Sequence, residues 1–251
     1  MERFHPKVRW ERPDCIGDLP SKRSGHTFTE IDSYAYLFGG CISSRLEGDG
    51  NIIPPRPTNE VYKLDLESSG SSYYWTKLLP AEMQGSQNSP SARWNHSAAR
   101  FNDNRIVIFG GFSASKDEPH LNDVWVLDTS NDSWEKPSPN PILELGTSGE
   151  SLLNGRPCPW RSCAKEAEAP APRGLHSATL ICNDLLVVYG GYGGAGYTRR
   201  DFDDVHALCL RTWQWYCIKT IGPRPPPRSG HQSVAVDGSL FVMGGCSVSR
   251  R

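Results

Sequence analysis

An arginine stands three residues before a histidine four times in this chain: Arg23 and His26, Arg93 and His96, Arg173 and His176, Arg228 and His231. A guanidinium beside an imidazole is a pairing that can bind anions and move protons. A glycine pair follows each: Gly39 and Gly40, Gly110 and Gly111, Gly190 and Gly191, Gly244 and Gly245. Adjacent glycines can cradle a phosphate when a helix starts after them. Cys158 and Cys163 offer two thiols of the kind that hold zinc.

The spacing argues against chemistry in each case. The step from histidine to first glycine is 13, 14, 14 and 13 residues, whereas the steps between histidines are 70, 80 and 55. The constant part is a structural repeat and the variable part is loop. A catalytic group is needed once, but a packing group is needed in every repeat. The arginines and histidines are therefore read as a polar pair at the seam between units, hydrogen-bonded to backbone. No helical periodicity follows the glycines, which instead suit a backbone swinging close against a neighbouring sheet. Zinc pairs use closer spacing and two further ligands, which are not found near Cys158 and Cys163. No catalytic residue, metal site or cofactor is assigned.

Four strands per unit would carry these residues. The first starts at the histidine. The second is an apolar run such as Ile106-Val107-Ile108-Phe109 or Leu185-Leu186-Val187-Val188-Tyr189, apolar on both faces as a strand between two sheets must be. The third alternates around Val61, Val124 or Val205. The fourth carries Trp75, Trp134 or Trp215, read as core anchors between units. Polar turns such as Asn102-Asp103-Asn104 join the first two strands.

Taken together, the run ending in Gly-Gly, the later Asp-Val or Glu-Val with its aromatic, and the tryptophan resemble the kelch repeat, over about residues 8–246. Loop lengths and repeat order look somewhat like host-cell-factor and Rab-effector kelch proteins. The resemblance implies an all-β fold of β-propeller blades. Residues 8–251 are read as a partial kelch propeller. Its blades lie at about 23–80, 93–136 and 173–220, with a partial blade over 228–251 and a long inter-blade insertion over 137–172. A strand over 8–11, with Trp10 in the repeat's tryptophan position, would close the partial blade. Three full blades and a partial one fall short of the six common in the family. The chain is therefore read as an incomplete ring, with exposed blade faces that need missing sequence, another chain or self-association.

Composition agrees with many short strands: 24 Gly and 20 Pro, with 37% hydrophobic residues to fill a core. A net charge of -1 gives no electrostatic footprint for nucleic acid or an anionic membrane. No apolar run spans a bilayer, and Met1 to Pro6 lack a signal peptide's apolar segment, so a cytoplasmic or nuclear protein with unpaired cysteines is expected.

Function falls to the loops. Sequential antiparallel strands place the loops between second and third strands on the face that also carries the inter-unit connections. That face collects Arg45 and Arg56, Lys116 and His120, Tyr192, Tyr197, Arg199 and Arg200, and, from the long insertion, Trp160 and Arg161. Arg, Tyr and Trp are enriched at binding hot spots. Composition leaves the insertion open between disorder and binding. The expectation is a non-enzymatic scaffold or adaptor that binds a protein or peptide, as kelch domains do across one propeller face. The alternative is an enzyme like the kelch-propeller copper oxidases of the galactose oxidase type, or the sialic acid epimerases. Only His5, His120 and His206 fall outside the repeat positions, which is thin for copper.

Overall fold

A computed structural model describes residues 10–46, 52–67, 72–79, 89–139, 152–153, 156–157, 160, 163–194 and 198–247. Each of three complete sheets is built from four sequential antiparallel strands. The first has Thr27–Ile31, Tyr34–Phe38, Val61–Asp65 and Ser72–Leu78; the second Ser97–Phe101, Arg105–Phe112, His120–Asp128 and Ser133–Glu135; the third Ser177–Ile181, Leu185–Tyr189, Val205–Cys209 and Gln214–Ile218. A fourth sheet has two strands, Ser229–Val236 and Ser239–Cys246. The first strands of successive sheets adjoin in series, so the sheets are arranged as propeller blades around a common axis.

The second strands show why both faces must be apolar. Ile106 and Ile108 point to the first blade, where they join Tyr36, Phe38, Val61 and Trp134. Val107 and Phe109, the alternate residues, point to the third, where they meet Leu186, Val188, Leu208 and Trp215. All four are at most 2% exposed. The period-two alternation of a strand thus serves two cores at once. Each fourth-strand tryptophan reaches back to the blade before it. Trp134 lies 5.0 Å from Phe38 and Trp215 lies 5.0 Å from Phe109, ring centre to ring centre. Trp75, on the first blade described, packs on Phe28 and Tyr62 of its own sheet instead.

Three expectations need correction. Two complete blades carry a fifth strand at the outer edge. Asp14–Gly17 pairs parallel with Ser72–Leu78, and Ala164–Ala167 pairs antiparallel with Gln214–Ile218. The expected closure by 8–11 is not seen among the described residues: Trp10 is outside any strand and 95% exposed, and the half-blade has no third strand. Chain entering the first blade adds to that blade's own outer edge, where its backbone finds partners at once. Cysteine pairing is the third point. Cys182, buried in the core behind the third blade, is disulfide-bonded.

The loops are rooted in short ladders above the blades. Arg23–Ser24, Cys41–Ile42 and Arg56–Pro57 form one ladder; Arg173–Gly174, Tyr192–Gly193 and Arg200–Asp201 form its counterpart on the third blade. On the second blade the strands themselves run on past a bulge at Gly110, so that Phe112 pairs with both His120 and Trp94.

Candidate functional site

The repeated arginines of the three complete blades are committed to structural contacts within their own blades. Arg93 is fully buried. Its Nε donates to the Ser91 carbonyl at 3.0 Å, its Nη1 to the Gly110 carbonyl at 3.1 Å, and its two Nη atoms clasp the Asp123 carboxylate at 2.7 and 2.9 Å. Arg173 repeats this with Ala171, Gly190 and Asp204, and Arg23 with Ser21, Gly39 and Glu60. Burial alone would push the Asp123 carboxyl up, but the Arg93 guanidinium and the Trp125 indole N–H hold it below the usual carboxylate range.

Three of the four histidines reach across the seam to the preceding blade. The Nε2 atoms of His96, His176 and His231 lie 3.0, 2.8 and 2.9 Å from the hydroxyls of Thr27, Ser97 and Ser177. Backbone ties run the same way: the amides of Asn95, Leu175 and Gly230 donate to the carbonyls of Gly25, Asn95 and Leu175. The first glycine of the pair in each complete blade, Gly39, Gly110 or Gly190, makes room for this contact. A Cβ on Gly110 would lie 2.8 Å from the Arg173 carbonyl oxygen and 3.2 Å from the His176 ring.

Buried imidazoles make the seams acid-sensitive. Burial pushes His176 down to about 3, with Arg173 and His231 acting in the same direction, and His96 is likewise held well below its ordinary value. An unfolded histidine titrates near 6.5, so the unfolded chain binds more protons than the folded one below that pH. The contribution is complete above about pH 6.5 and is lost as pH falls towards 3, at about 1.4 kcal/mol per pH unit for His176. Urea midpoints should therefore fall steadily from pH 6.5 to 4.5, and more gently for His176→Gln. Equal slopes for both proteins would refute the assignment.

Above the seam between the second and third blades the loop face carries a row of rings. Trp94 and Phe112 are 5.6 Å apart, Phe112 and His120 5.2 Å, and His120 and Tyr192 6.0 Å. Arg199 stands beside this row: burial first, and then its charge, lowers the pKa of His120. Arg200 lies over Phe202 at 5.4 Å from the ring centre. Both arginines are exposed, and neither forms an ion pair among the described residues.

The structure thus gathers His120, Tyr192, Arg199 and Arg200. Lys116 is exposed on the same loop as His120. Arg56 is separate, lining a cavity of about 690 Å³ on the first blade with Lys22, Glu60 and Tyr62. Arg45 lies on a short strand paired with Ile52–Ile53. Tyr197 and Arg161 fall outside the described residues. Trp160 does not belong to the loop face: its indole N–H donates to the Gly238 carbonyl at 2.7 Å, in the hairpin turn at the opposite end of the half-blade. There it packs on the core behind the third blade. Trp94 and Phe112 were missed. Their signal is a departure from the repeat, since the residue after the arginine is Ser24, Gly174 or Ser229 in the other units.

On the axis, a cavity of about 280 Å³ is lined by the first strands, including His26, Thr27, Ser97, Ser177 and Ser233. Among the described residues no three His, Cys, Asp or Glu side chains converge to hold a metal ion. None of the described helices is long and apolar enough to cross a membrane.

The family model described as the KLHDC2/KLHL20/DRC7 Kelch-repeats domain matches residues 5–151 and 151–251. The chain is 29% identical over 256 residues to host cell factor of Drosophila melanogaster, covering 95% of the chain and 14% of that protein. It is 28% identical over 252 residues to the flagellar outer-arm dynein alpha chain of Chlamydomonas reinhardtii, covering 97% of the chain and 5% of that protein. The solved structure of YjhT superposes with a TM-score of 0.57 at 17% identity, over 89% of the chain and 59% of YjhT. The chain therefore spans only a small part of these curated relatives, and YjhT supports the fold alone.

Proposed function

The chain belongs to the kelch-repeat family, and from that premise we propose that it acts as a non-enzymatic scaffold or adaptor. Its loop face, centred on His120, Tyr192, Arg199 and Arg200, would hold a protein or peptide partner in the cytoplasm or nucleus. The observation that carries this reading is the row from Trp94 to Tyr192, flanked by two exposed arginines that form no ion pair among the described residues. Aromatic faces beside free guanidinium groups suit a segment that presents an apolar side chain next to a carboxylate.

Hot-spot residues of these types are each worth about 2 kcal/mol, or roughly thirtyfold in affinity. Affinity capture with the wild-type chain and with a Tyr192→Ala, Arg199→Ala, Arg200→Ala variant tests the reading. Partners held by the wild type should be lost by the variant, whose circular dichroism should be unchanged. An unchanged set of partners would sink it. A copper assay on the purified protein separates this reading from the oxidase alternative.

A further inference from the structure

One position of the repeat changes its chemistry in the third blade. In each complete blade the residue two after the acid that pairs with the seam arginine bonds back to that acid. The Tyr62 hydroxyl donates to Glu60 at 3.5 Å and the Trp125 indole N–H to Asp123 at 2.7 Å. A lysine from the fourth strand, or just after it, then lies over the ring: Lys77 at 5.7 Å from the Tyr62 ring centre and Lys136 at 5.5 Å from that of Trp125. The third blade keeps the acid, Asp204, but has His206 in place of the larger ring and Cys217 in place of the lysine. A packing trio serves in the first two blades. Acid, imidazole and thiol stand together only in the third of these blades, as a group with a task of its own would.

The hydrogen bonds fix the state of the imidazole. His206 Nε2 lies 3.2 Å from Asp204 Oδ2. Burial alone would push that carboxyl up, but Arg173, which clasps it with both Nη atoms, and His206 hold it below the usual carboxylate range. An ionised carboxylate only accepts, so Nε2 carries the proton. Nδ1 is left with a lone pair, buried and with no hydrogen-bond partner among the described residues. Cys217 stands directly opposite His206 in the ladder, and Lys165 of the outer strand directly opposite Cys217, so the three side chains share one face of the sheet. Opposed residues keep their Cβ atoms about 5 Å apart, which puts the thiol beside the imidazole. The thiol itself is exposed.

We propose that Cys217 is a thiolation site for small disulfides that carry carboxylates, the class of oxidised glutathione. His206 Nδ1 takes the thiol proton, and the Cys217 sulfur attacks one sulfur of the disulfide. A new S–S bond forms as the old one breaks, so the Cys217 sulfur is oxidised and the departing sulfur reduced. The departing thiolate takes the proton back from His206. Asp204 is a positioning residue: it fixes the tautomer that leaves Nδ1 able to act as a base. The Lys165 ammonium, with that of Lys219 two residues beyond Cys217, meets the carboxylates of the incoming disulfide, since both lysines are exposed.

The probe is oxidised glutathione, incubated with the 251-residue chain, quenched with acid at intervals and mapped by peptide mass. Cys217 should be thiolated about ten times faster than Cys15 and Cys246, exposed cysteines that stand opposite Tyr73 and Ser229 rather than an imidazole. His206→Tyr, which restores the first blade's residue, should bring Cys217 down to their rate while their rates and the circular dichroism stay unchanged. Lys165→Gln should slow glutathione about threefold and leave cystamine, a cationic disulfide, no slower. A wild-type Cys217 no faster than Cys15, or one equally fast beside Tyr at 206, would overturn the proposal. An equal response of glutathione and cystamine to Lys165→Gln would overturn the choice of an anionic disulfide.

Discussion

Replacing Asp123 with alanine should cost about 3 kcal/mol of stability, read as a lower urea midpoint at unchanged slope. The Arg93 side chain is 0% exposed, and the carboxylate is its one ionic partner among the described residues. Without it the guanidinium keeps only neutral acceptors, the Ser91 and Gly110 carbonyls and the Ser91 hydroxyl, and the Trp125 indole N–H loses its acceptor as well. The penalty is mainly that of a buried charge left uncompensated, so it overstates what the intact pair contributes. Converting Arg93 to Met and Asp123 to Leu together should recover much of the loss. Asp103→Ala provides the contrast. Its carboxylate faces Arg100 at 3.5 Å with 98% of the side chain exposed, and the change should stay within about 0.5 kcal/mol. A small effect at Asp123 would mean that water reaches the seam.

Gly110→Ala should be costlier still, at about 4 kcal/mol, whereas Gly244→Ala should cost only about 1 kcal/mol. Both glycines have positive φ, 64° and 72°, so the backbone penalty is shared. They differ in surroundings. The new methyl at 110 would lie 2.8 Å from the Arg173 carbonyl oxygen, which cannot move without opening a seam, and 3.1 Å from that of Leu121, which is fixed in the paired strand of the same blade. At 244 it would face open space. Thermal unfolding of the two variants side by side gives the difference. Equal losses would show that the glycine pair is selected for its dihedral angles rather than for the approach of the next blade.

The features legible in the sequence are those that recur because every seam imposes them. Two-faced apolar strands, the seam arginine and histidine, and the close glycine approach all serve contacts made again at each blade. What escaped is what the repeat does not dictate. Asp14–Gly17 and Ala164–Ala167 attach to outer edges by backbone pairing alone, and their sequences DCIG and AKEA show no apolar alternation to betray them. Trp160 looked like a binding residue because a tryptophan in a polar segment is conspicuous. The same amphipathic ring serves equally well as a plug whose N–H finds a carbonyl. Trp94 and Phe112 were overlooked because attention to what recurs hides a substitution at one copy. Of the loop residues singled out, His120, Tyr192, Arg199 and Arg200 do converge, since the ladders above the blades carry neighbouring loops side by side.

The seam bonds have a direction. His96 reaches Thr27, Asn95 reaches Gly25, and Trp134 reaches Phe38, and the pattern repeats with His176, Leu175 and Trp215 on the second blade. In these contacts the later unit brings the reaching group, whereas a smaller set, such as Tyr36 to Asp132 and the Gly40 amide to the Arg93 carbonyl, runs the other way. A chain emerging from the ribosome can therefore set each blade against a template already in place, so that growth is vectorial and resembles end-addition to a linear polymer. Force applied to the two ends would be expected to peel the blades in the reverse order, last made, first released.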